Sequence, residues 1–170
     1  MMVTPRSLLS PITPQNAWIF KAVRLRALED SPDAFGSTYA KECQLTHADW
    51  IQRALRWNGE HGAGFLAMGG SACHGIAGSL LDQADATRAH LDSMWTAPTH
   101  RQRGIGRLLV NEIVGWASRR GAHTSQLLVT SNNELAMVFY QRLGFTRTGR
   151  TEPYPNDPSL IEYEMSRPVP

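Results

Sequence analysis

Arginines and glycines are concentrated in a short segment that directly follows an apolar stretch ending at Pro98. The segment holds three arginines and two glycines, which are Arg101, Arg103, Arg107, Gly104 and Gly106. A helix is predicted to begin at Gly104, so several main-chain N–H groups should point outward together at its N-terminus. Glycine lets the backbone approach a phosphate closely, and arginine side chains surround the opening with positive charge. The segment therefore predicts an anion site, and pyrophosphate is the anion that we expect there.

Two better-known phosphate-binding loops do not fit these residues. The Walker loop requires Gly-Lys-Ser/Thr after its spacer, whereas Gly106 is followed by Arg107 and Leu108. The dinucleotide-binding fingerprint requires a third glycine at position 109, where the chain has Leu109. One structural alternative stays open, in which the two glycines only form a tight connection between a strand and a helix.

A second group of residues follows downstream at fixed spacing. The pattern Arg101-x-x-Gly104-x-Gly106, followed by Asn133-x-x-Ala136-x-x-x-Tyr140-x-x-x-Gly144-Phe145, resembles the two signatures of the GNAT superfamily of acyl-CoA-dependent N-acetyltransferases. Residues 27–36 resemble the first-helix segment of many bacterial members. The resemblance spans nearly the whole chain. It implies that residues 1–170 form one N-acetyltransferase domain that moves an acetyl group from acetyl-CoA to a primary amine.

The resemblance also implies how acetyl-CoA is held. The basic loop would bind the pyrophosphate, a main-chain N–H of the preceding strand would bind the thioester oxygen, and Tyr140 would donate a proton to the departing thiolate. Asn133 would contact the pantetheine amides, although it could equally cap a helix. Tyr140 could likewise be only a packed helix residue. The residues expected to contact acetyl-CoA are Met94, Trp95, Thr96, Arg101, Gln102, Arg103, Gly104, Ile105, Gly106, Arg107, Asn133 and Ala136.

His90 and Asp92 are the candidate bases for the reaction. An amine with a pKa near ~10.4 is almost fully protonated at neutral pH, so the enzyme must remove a proton before the amine can attack. His90 corresponds to a glutamate of some family members, and Asp92 lies two residues further along the same face of the predicted strand. Both could alternatively be ordinary polar residues at a strand edge, with the proton leaving through water.

The residues expected to line the acceptor pocket are Phe35, Tyr39 and Glu42, because many family members place their acceptor pocket after the first helix. Phe35 could equally belong to the core. The acceptor is expected to be a small-molecule or peptide amine. A non-catalytic acyl-CoA sensor or regulatory module is the alternative function, since such a module would keep the basic loop without needing Tyr140.

Composition excludes several other classes of function. The chain has 170 residues, of which 42% are hydrophobic, and a net charge of +2, so we expect a core of ordinary size and no broad nucleic-acid surface. Two cysteines and scattered histidines predict neither a disulfide framework nor a metal site. Prolines at positions 5, 11 and 14 interrupt any signal-peptide core, so a cytoplasmic location is expected. A homodimer stays open, since closed dimers are the commonest assemblies.

Residues 62–81 carry no formal charge and are about as long as a membrane span. Gly69 and Gly70 lie in the middle of this stretch, between two short apolar runs, which is the pattern of a tight β-hairpin. We therefore predict two strands here and no membrane association.

The remaining periodicity predicts an α+β fold. Strands are predicted over residues 8–13, 89–96, 126–130, 145–150 and 160–166, and helices over 14–29, from Thr46 to about Trp57, over 104–120 and over 133–143. A strand-helix-strand crossover at 89–130 requires a parallel pair, whereas the hairpin and the terminal strands should be antiparallel. The expected architecture is a mixed, largely antiparallel central sheet with one parallel strand pair and helices on both faces. The resemblance implies that the parallel strands splay apart and hold the pantetheine arm between them.

Overall fold

The computed structural model describes residues 8–170 and contains a seven-stranded sheet in the order β1-β2-β3-β4-β5-β7-β6. Within residues 8–170, only β4 and β5 are parallel neighbours. The strands are β1 (Leu8–Pro11), β2 (Gly62–Gly69), β3 (Ala72–Leu81), β4 (Arg88–Thr96), β5 (Thr124–Thr130), β6 (Thr146–Pro153) and β7 (Ile161–Pro168). The predicted mixed sheet with one parallel pair is confirmed. Pro5, one of the prolines that argue against a signal peptide, lies outside the described residues.

Helices cover both faces of this sheet. They are α1 (Ala17–Asp30), α2 (Tyr39–Glu42), α3 (His47–Arg56), α4 (Ile105–Arg119) and α5 (Glu134–Arg142). Side chains alternate between the two faces of a strand, so the neighbours Leu66 and Ala67 of β2 enter different core clusters. The cluster on one face includes Phe20 of α1 and Trp50 of α3, whereas the cluster on the other face includes Leu109 of α4.

Most predicted elements are present with shifted ends. The hairpin strands extend beyond the predicted runs to Gly62 and Leu81, because the neutral stretch is paired along nearly its whole length. The helix predicted from position 14 begins with a 3-10 turn at Pro14–Asn16 and becomes α-helical at Ala17. The four-residue helix α2 was not predicted; the Thr38 hydroxyl caps it by accepting from the Lys41 N–H. Within residues 8–170, no helix combines the length and apolar character that crossing a bilayer requires.

The parallel strands β4 and β5 pair over a short distance and then separate. Their register includes only three pairs, Arg88 with Thr124, Ala89 with Ser125 and His90 with Gln126. Beyond these pairs both strands continue without pairing to each other. The separation agrees with what the family resemblance implied.

A β-bulge in β4 accompanies this separation. Ala77 of β3 lies between residues that pair with Asp92 and Trp95, so it faces both Ser93 and Met94. Ser93 has a φ of 55°, in the left-handed region that non-glycine residues rarely adopt. Bulges bend a strand and redirect its side chains. The bulge therefore lies next to the candidate base Asp92.

Candidate active site

A cavity of about 670 Å³ opens where β4 and β5 separate. Its walls come mainly from the four strands β4, β5, β6 and β7 and from residues 34–37, which follow α1, and they include Arg24 of α1, Asp82 after β3 and Tyr140 of α5. Of the residues predicted for the site, the cavity wall includes Phe35, His90, Asp92, Met94 and Tyr140. The fold thus brings both candidate bases and the candidate acid to one space.

Asp92 lies on the wall of this cavity, where protein atoms surround its carboxylate and the solvent that enters the cavity still reaches it. Burial raises the pKa of Asp92 above its ordinary value of 3.8, and hydrogen bonding with Ser93 and the positive charge of Arg24 offset only part of this effect. A carboxylate with a raised pKa is a stronger base than an ordinary aspartate. Asp92 can therefore accept a proton from an amine in the cavity.

Both ring nitrogens of His90 already have partners. Nε2 lies 2.7 Å from the Asp82 carboxylate, and Nδ1 lies 3.1 Å from the side-chain amide nitrogen of Gln126. Because an amide nitrogen can only donate, Nδ1 accepts and the ring proton is on Nε2, which donates to Asp82. The hydrogen bond from His90 lowers the pKa of Asp82. His90 consequently offers no vacant lone pair to an amine, and Asp92 is the better candidate for the base.

Tyr140 is packed by its ring and unpaired at its hydroxyl. The side chain is 8% exposed and lies edge-on to Phe139 and Phe145, with ring centroids 5.1 and 5.7 Å away. The hydroxyl has no hydrogen-bond partner within residues 8–170, and Tyr140 lines the cavity. Burial raises the pKa of Tyr140, so the phenol stays protonated at neutral pH. The ring of Tyr140 thus fits the packing interpretation, whereas its hydroxyl fits the catalytic interpretation.

The basic loop has an unusual backbone. Gln102 and Gly104 have φ angles of 62° and 85°. The left-handed region suits glycine and is costly for glutamine. The first hydrogen bond of α4 is donated by Leu108 to the carbonyl of Gly104. Among the described residues, the N–H groups at positions 102–107 therefore have no backbone acceptor, as the anion site requires.

Arg101 is held by the protein itself. Its Nε donates to the carbonyl of Thr96 at 3.0 Å, and its Nη2 donates to Asp30 at 2.6 Å. The same Asp30 oxygen accepts from the Trp95 indole at 2.9 Å. Burial alone would raise the pKa of Asp30, but hydrogen bonds from Trp95, Ser31 and Arg101 lower it below its ordinary value. Arg101 thus fixes the start of the loop, whereas the side chains of Arg103 and Arg107 have no hydrogen-bond or ion-pair partner within residues 8–170.

Gly106 and Ile105 also have structural roles. A Cβ on Gly106 would lie 2.9 Å from the Phe139 ring and 3.1 Å from the Met94 side chain, so close packing requires glycine there. Ile105 is buried in the core and can offer a ligand only its main-chain N–H. Gly104, by contrast, has no atom within 4 Å of the position that a Cβ would occupy, and its requirement for glycine comes from its positive φ.

Three main-chain N–H groups of β4 were candidates for the thioester oxygen. Ala97 donates to the carbonyl of His74 on the β3 side, so by alternation Trp95 also faces β3. Met94 and Thr96 therefore direct their N–H groups toward the gap beside β5. The Trp95 side chain lies in the core next to Asp30, away from the cavity.

Asn133 caps α5. Its side-chain oxygen accepts from the Ala136 N–H at 3.2 Å, and its own N–H donates to the carbonyl of Thr130. Neighbouring Asn132 donates to Asp33 at 3.2 Å. Capping uses only the oxygen of Asn133, so its amide nitrogen can still donate to pantetheine.

The predicted acceptor residues separate into two groups. Phe35 lines the cavity, although it is also a core residue. Tyr39 and Glu42 lie outside the cavity wall. Glu42 is 1% exposed and pairs with Arg24 at 2.9 Å and Arg53 at 2.7 Å, so its contacts are structural.

None of the residues predicted for the site comes from β6, from β7 or from the connection between them. Glu152, Tyr154 and Glu162 line the cavity. Tyr154 is buried and donates to the carbonyl of Phe35 at 2.7 Å, which joins the β6–β7 connection to the segment after α1. Alternating polar residues in the last strand were a signal, but only the pairing with β5 and β6 shows that they face a cavity. In the part of the chain that the structure describes, no group of three or more His, Cys, Asp or Glu residues could hold a metal ion.

Comparison with known proteins agrees with this geometry. The family model described as "Acetyltransferase (GNAT) family" matches residues 25–145. The N-acetyltransferase MJ1207 of Methanocaldococcus jannaschii is 39% identical over 57 residues, which are 34% of this chain and 25% of that protein. The chain therefore spans about a quarter of the length of that relative. The peptidyl-lysine N-acetyltransferase YjaB of Salmonella typhimurium is 26% identical over 144 residues, which are 79% of this chain and 83% of YjaB.

A solved structure shows the same fold. The structure of yncA from Salmonella typhimurium, determined with its cofactor acetyl-CoA, superposes with a TM-score of 0.78 at 14% identity. The superposition covers 96% of this chain and 94% of yncA. The predicted family is thereby confirmed: the chain belongs to the acetyltransferase (GNAT) family, a family of acyl-CoA-dependent N-acetyltransferases.

Proposed function

We propose that the chain transfers the acetyl group of acetyl-CoA directly to a primary amine in the cavity beside β4. The observation that carries the proposal is the arrangement of unpartnered loop N–H groups, a gap between parallel strands and a cavity lined by Asp92 and Tyr140. The acceptor is a small-molecule or peptide amine. Two free cysteines, Cys43 and Cys73, are consistent with a reducing compartment such as the cytoplasm.

Each part of acetyl-CoA has a proposed partner. The pyrophosphate is bound by the N–H groups at 102–107, with Arg103 and Arg107 adding positive charge. The pantetheine arm occupies the gap between β4 and β5 and receives a hydrogen bond from the Asn133 amide. The thioester oxygen accepts from the N–H of Met94 or Thr96, which stabilises the oxyanion as it forms.

The proton transfers are assigned to Asp92 and Tyr140. Asp92 takes a proton from the ammonium form of the acceptor, directly or through one water. The amine nitrogen then attacks the carbonyl carbon, a C–N bond forms, and the C–S bond breaks. Tyr140 donates its proton to the departing thiolate and regains one, directly or through a water, from the acetylated nitrogen, which loses its second proton as it becomes a neutral amide. Burial of the phenol favours the neutral form that can donate.

Release of free thiol from acetyl-CoA, measured across a panel of primary amines, tests this function. We expect saturable, amine-dependent release by the unaltered chain. Tyr140→Phe should lower kcat by about 100-fold and leave the Kd for acetyl-CoA unchanged, because only the hydroxyl is removed. Saturable acetyl-CoA binding with no release by any amine would overturn the proposal in favour of a sensor or regulatory module.

A further inference from the structure

Two glutamates face each other across β6 and β7 at the wall of the cavity. Glu152 and Glu162 are directly paired in the register of these strands, and both line the cavity. Glu162 is 9% exposed. Neither carboxylate has an ion-pair or hydrogen-bond partner within residues 8–170. A largely buried, unpartnered carboxylate thus points into the cavity beside a second carboxylate.

This arrangement is unfavourable without a ligand. Like charges directly opposite each other on neighbouring strands destabilise a sheet, and a buried charge without a partner adds a desolvation penalty. Burial and the nearby charge of Glu152 raise the pKa of Glu162. A cationic group between the two carboxylates would remove both penalties.

The other charged groups of the cavity wall are mostly paired. Arg24 binds Glu42, Arg88 lies 3.4 Å from Asp85, and Asp82 binds His90. Glu164 accepts from the Thr148 hydroxyl at 2.9 Å. The wall groups without an ion pair in the described chain are four carboxylates and one guanidinium, namely Asp92, Glu152, Glu162, Glu164 and Arg150. The unpaired charge is therefore predominantly negative.

Asp92 and the glutamate pair lie at different places in the cavity. Asp92 is two residues beyond His90, which pairs with Gln126, whereas Glu162 pairs with Thr130, four residues beyond Gln126. At about 3.3 Å per residue and about 4.8 Å between paired strands, their backbone positions are at least on the order of 12 Å apart, since β4 and β5 have separated there. The two carboxylate sites can thus contact opposite ends of one extended ligand.

We propose that the acceptor is a linear diamine or polyamine, an inference that rests on the acetyl transfer proposed above. One amino group is deprotonated at Asp92 and attacks the thioester, while a second, protonated amino group is bound between Glu152 and Glu162. The second group takes no part in bond making or breaking. The glutamate pair is accordingly a specificity site and not a catalytic one.

Matched acceptors test this inference. A series of linear diaminoalkanes of increasing length is compared with amino alcohols of the same lengths, in which a neutral hydroxyl replaces the second ammonium. We expect the best diamine to exceed its matched amino alcohol by at least about tenfold in kcat/KM, mainly through KM, because a hydrogen bond to a charged group is lost. Equal values for the two acceptors, or preference for an amino acid whose carboxylate could bind Arg150, would overturn the inference.

Variants of Glu152 and Glu162 test whether the preference for the diamine depends on these two carboxylates. Glu162→Gln and Glu152→Gln should lower kcat/KM for the diamine toward that for its matched amino alcohol, whereas Glu112→Gln on the outer face of α4 should retain the preference. Without ligand, Glu162→Gln should raise the Tm, since it removes one of two facing charges. A loss of activity equal for both acceptors would contradict the specificity role.

A measurement of diamine binding distinguishes failure of the diamine proposal from failure of the acetyl-transfer proposal. The thermal shift caused by a diamine in the presence of CoA reports the glutamate site without turnover. A shift that depends on Glu162, together with no thiol release, would support the diamine site and overturn acetyl transfer alone. Thiol release from simple monoamines without any such shift would support acetyl transfer and overturn the diamine site.

Discussion

Asp92 is subject to opposing requirements of stability and chemistry. Its burial in the cavity penalises the charged form, and the same penalty makes it a stronger base. Asp92→Asn should therefore lower kcat by about 100-fold or more with little change in the Kd for acetyl-CoA. The wild-type pH profile should show activity falling on the acidic side at a pH above the ordinary aspartate pKa of 3.8. Steady-state kinetics from pH 4 to pH 9 measure both effects.

Although Asp92→Asn should lower kcat, it should raise the stability of the folded chain. A raised pKa in the folded state means that the folded chain holds this proton more tightly than the unfolded chain, so stability falls as pH rises between the ordinary and the raised values. Asparagine does not titrate, so Asp92→Asn does not lose stability in this way as pH rises. Its Tm should therefore exceed that of wild type at neutral pH. His90→Gln serves as the control and should affect kcat less. A larger loss in His90→Gln than in Asp92→Asn would assign the base to the histidine.

At the scale of elements, two substitutions in the basic loop should change the free energy of unfolding in opposite directions. Gly104→Ala places a Cβ at a φ of 85° and should reduce the free energy of unfolding by about 1 kcal/mol. Gln102→Gly relieves a glutamine held at a φ of 62° and should increase the free energy by up to about 1 kcal/mol. Urea denaturation measures both values. Destabilisation by Gln102→Gly would show that the glutamine side chain contributes contacts that outweigh its backbone strain.

The three arginines of the loop should have two different roles, since two contribute to acetyl-CoA binding and the third to the stability of the fold. Arg103→Gln and Arg107→Gln are expected to weaken acetyl-CoA binding by about three- to tenfold, less so at high salt, because each removes an exposed charge near the pyrophosphate. Arg101→Gln removes the contacts with Thr96 and Asp30 and should lower the Tm more than either of the other variants. Calorimetric titration at two salt concentrations, with thermal unfolding, checks both expectations. Equal loss of Tm for all three variants would contradict the separation.

Sequence could predict the elements whose signals are local. The loop at 101–107 and the signature around Tyr140 depend on residues close together in the chain, and the crossover between β4 and β5 follows from one strand-helix-strand unit. The bulge at Ser93 and the facing of Glu152 and Glu162 depend instead on strand pairings between distant segments. The same limit applies to Glu42, whose partners Arg24 and Arg53 become neighbours only when α1, α2 and α3 pack together.

At the scale of the whole molecule, one buried ion-pair network joins three helices to the candidate site. Glu42 at the end of α2 binds Arg24 of α1 and Arg53 of α3, and Arg24 also donates to Ser93 at 3.2 Å, in the β4 bulge. The packing of the helices is thereby connected to the strand that carries Asp92. Removing a buried carboxylate leaves its cationic partner uncompensated, which typically costs about 3–5 kcal/mol.

Glu42→Ala should therefore reduce the free energy of unfolding by about 3 kcal/mol at neutral pH. Burial alone would raise the pKa of Glu42, but the hydrogen bond and charge of Arg24, with the charge of Arg53, lower it below the ordinary value of 4.5. A lowered pKa provides stability that is complete above the ordinary value and is lost as pH falls through the folded-state value. The difference between wild type and Glu42→Ala should accordingly shrink below about pH 4 in urea titrations. Arg53→Gln, which alters the more exposed partner, should destabilise less; a difference that stayed constant down to pH 2 would show that side-chain packing, and not charge, is what Glu42 contributes.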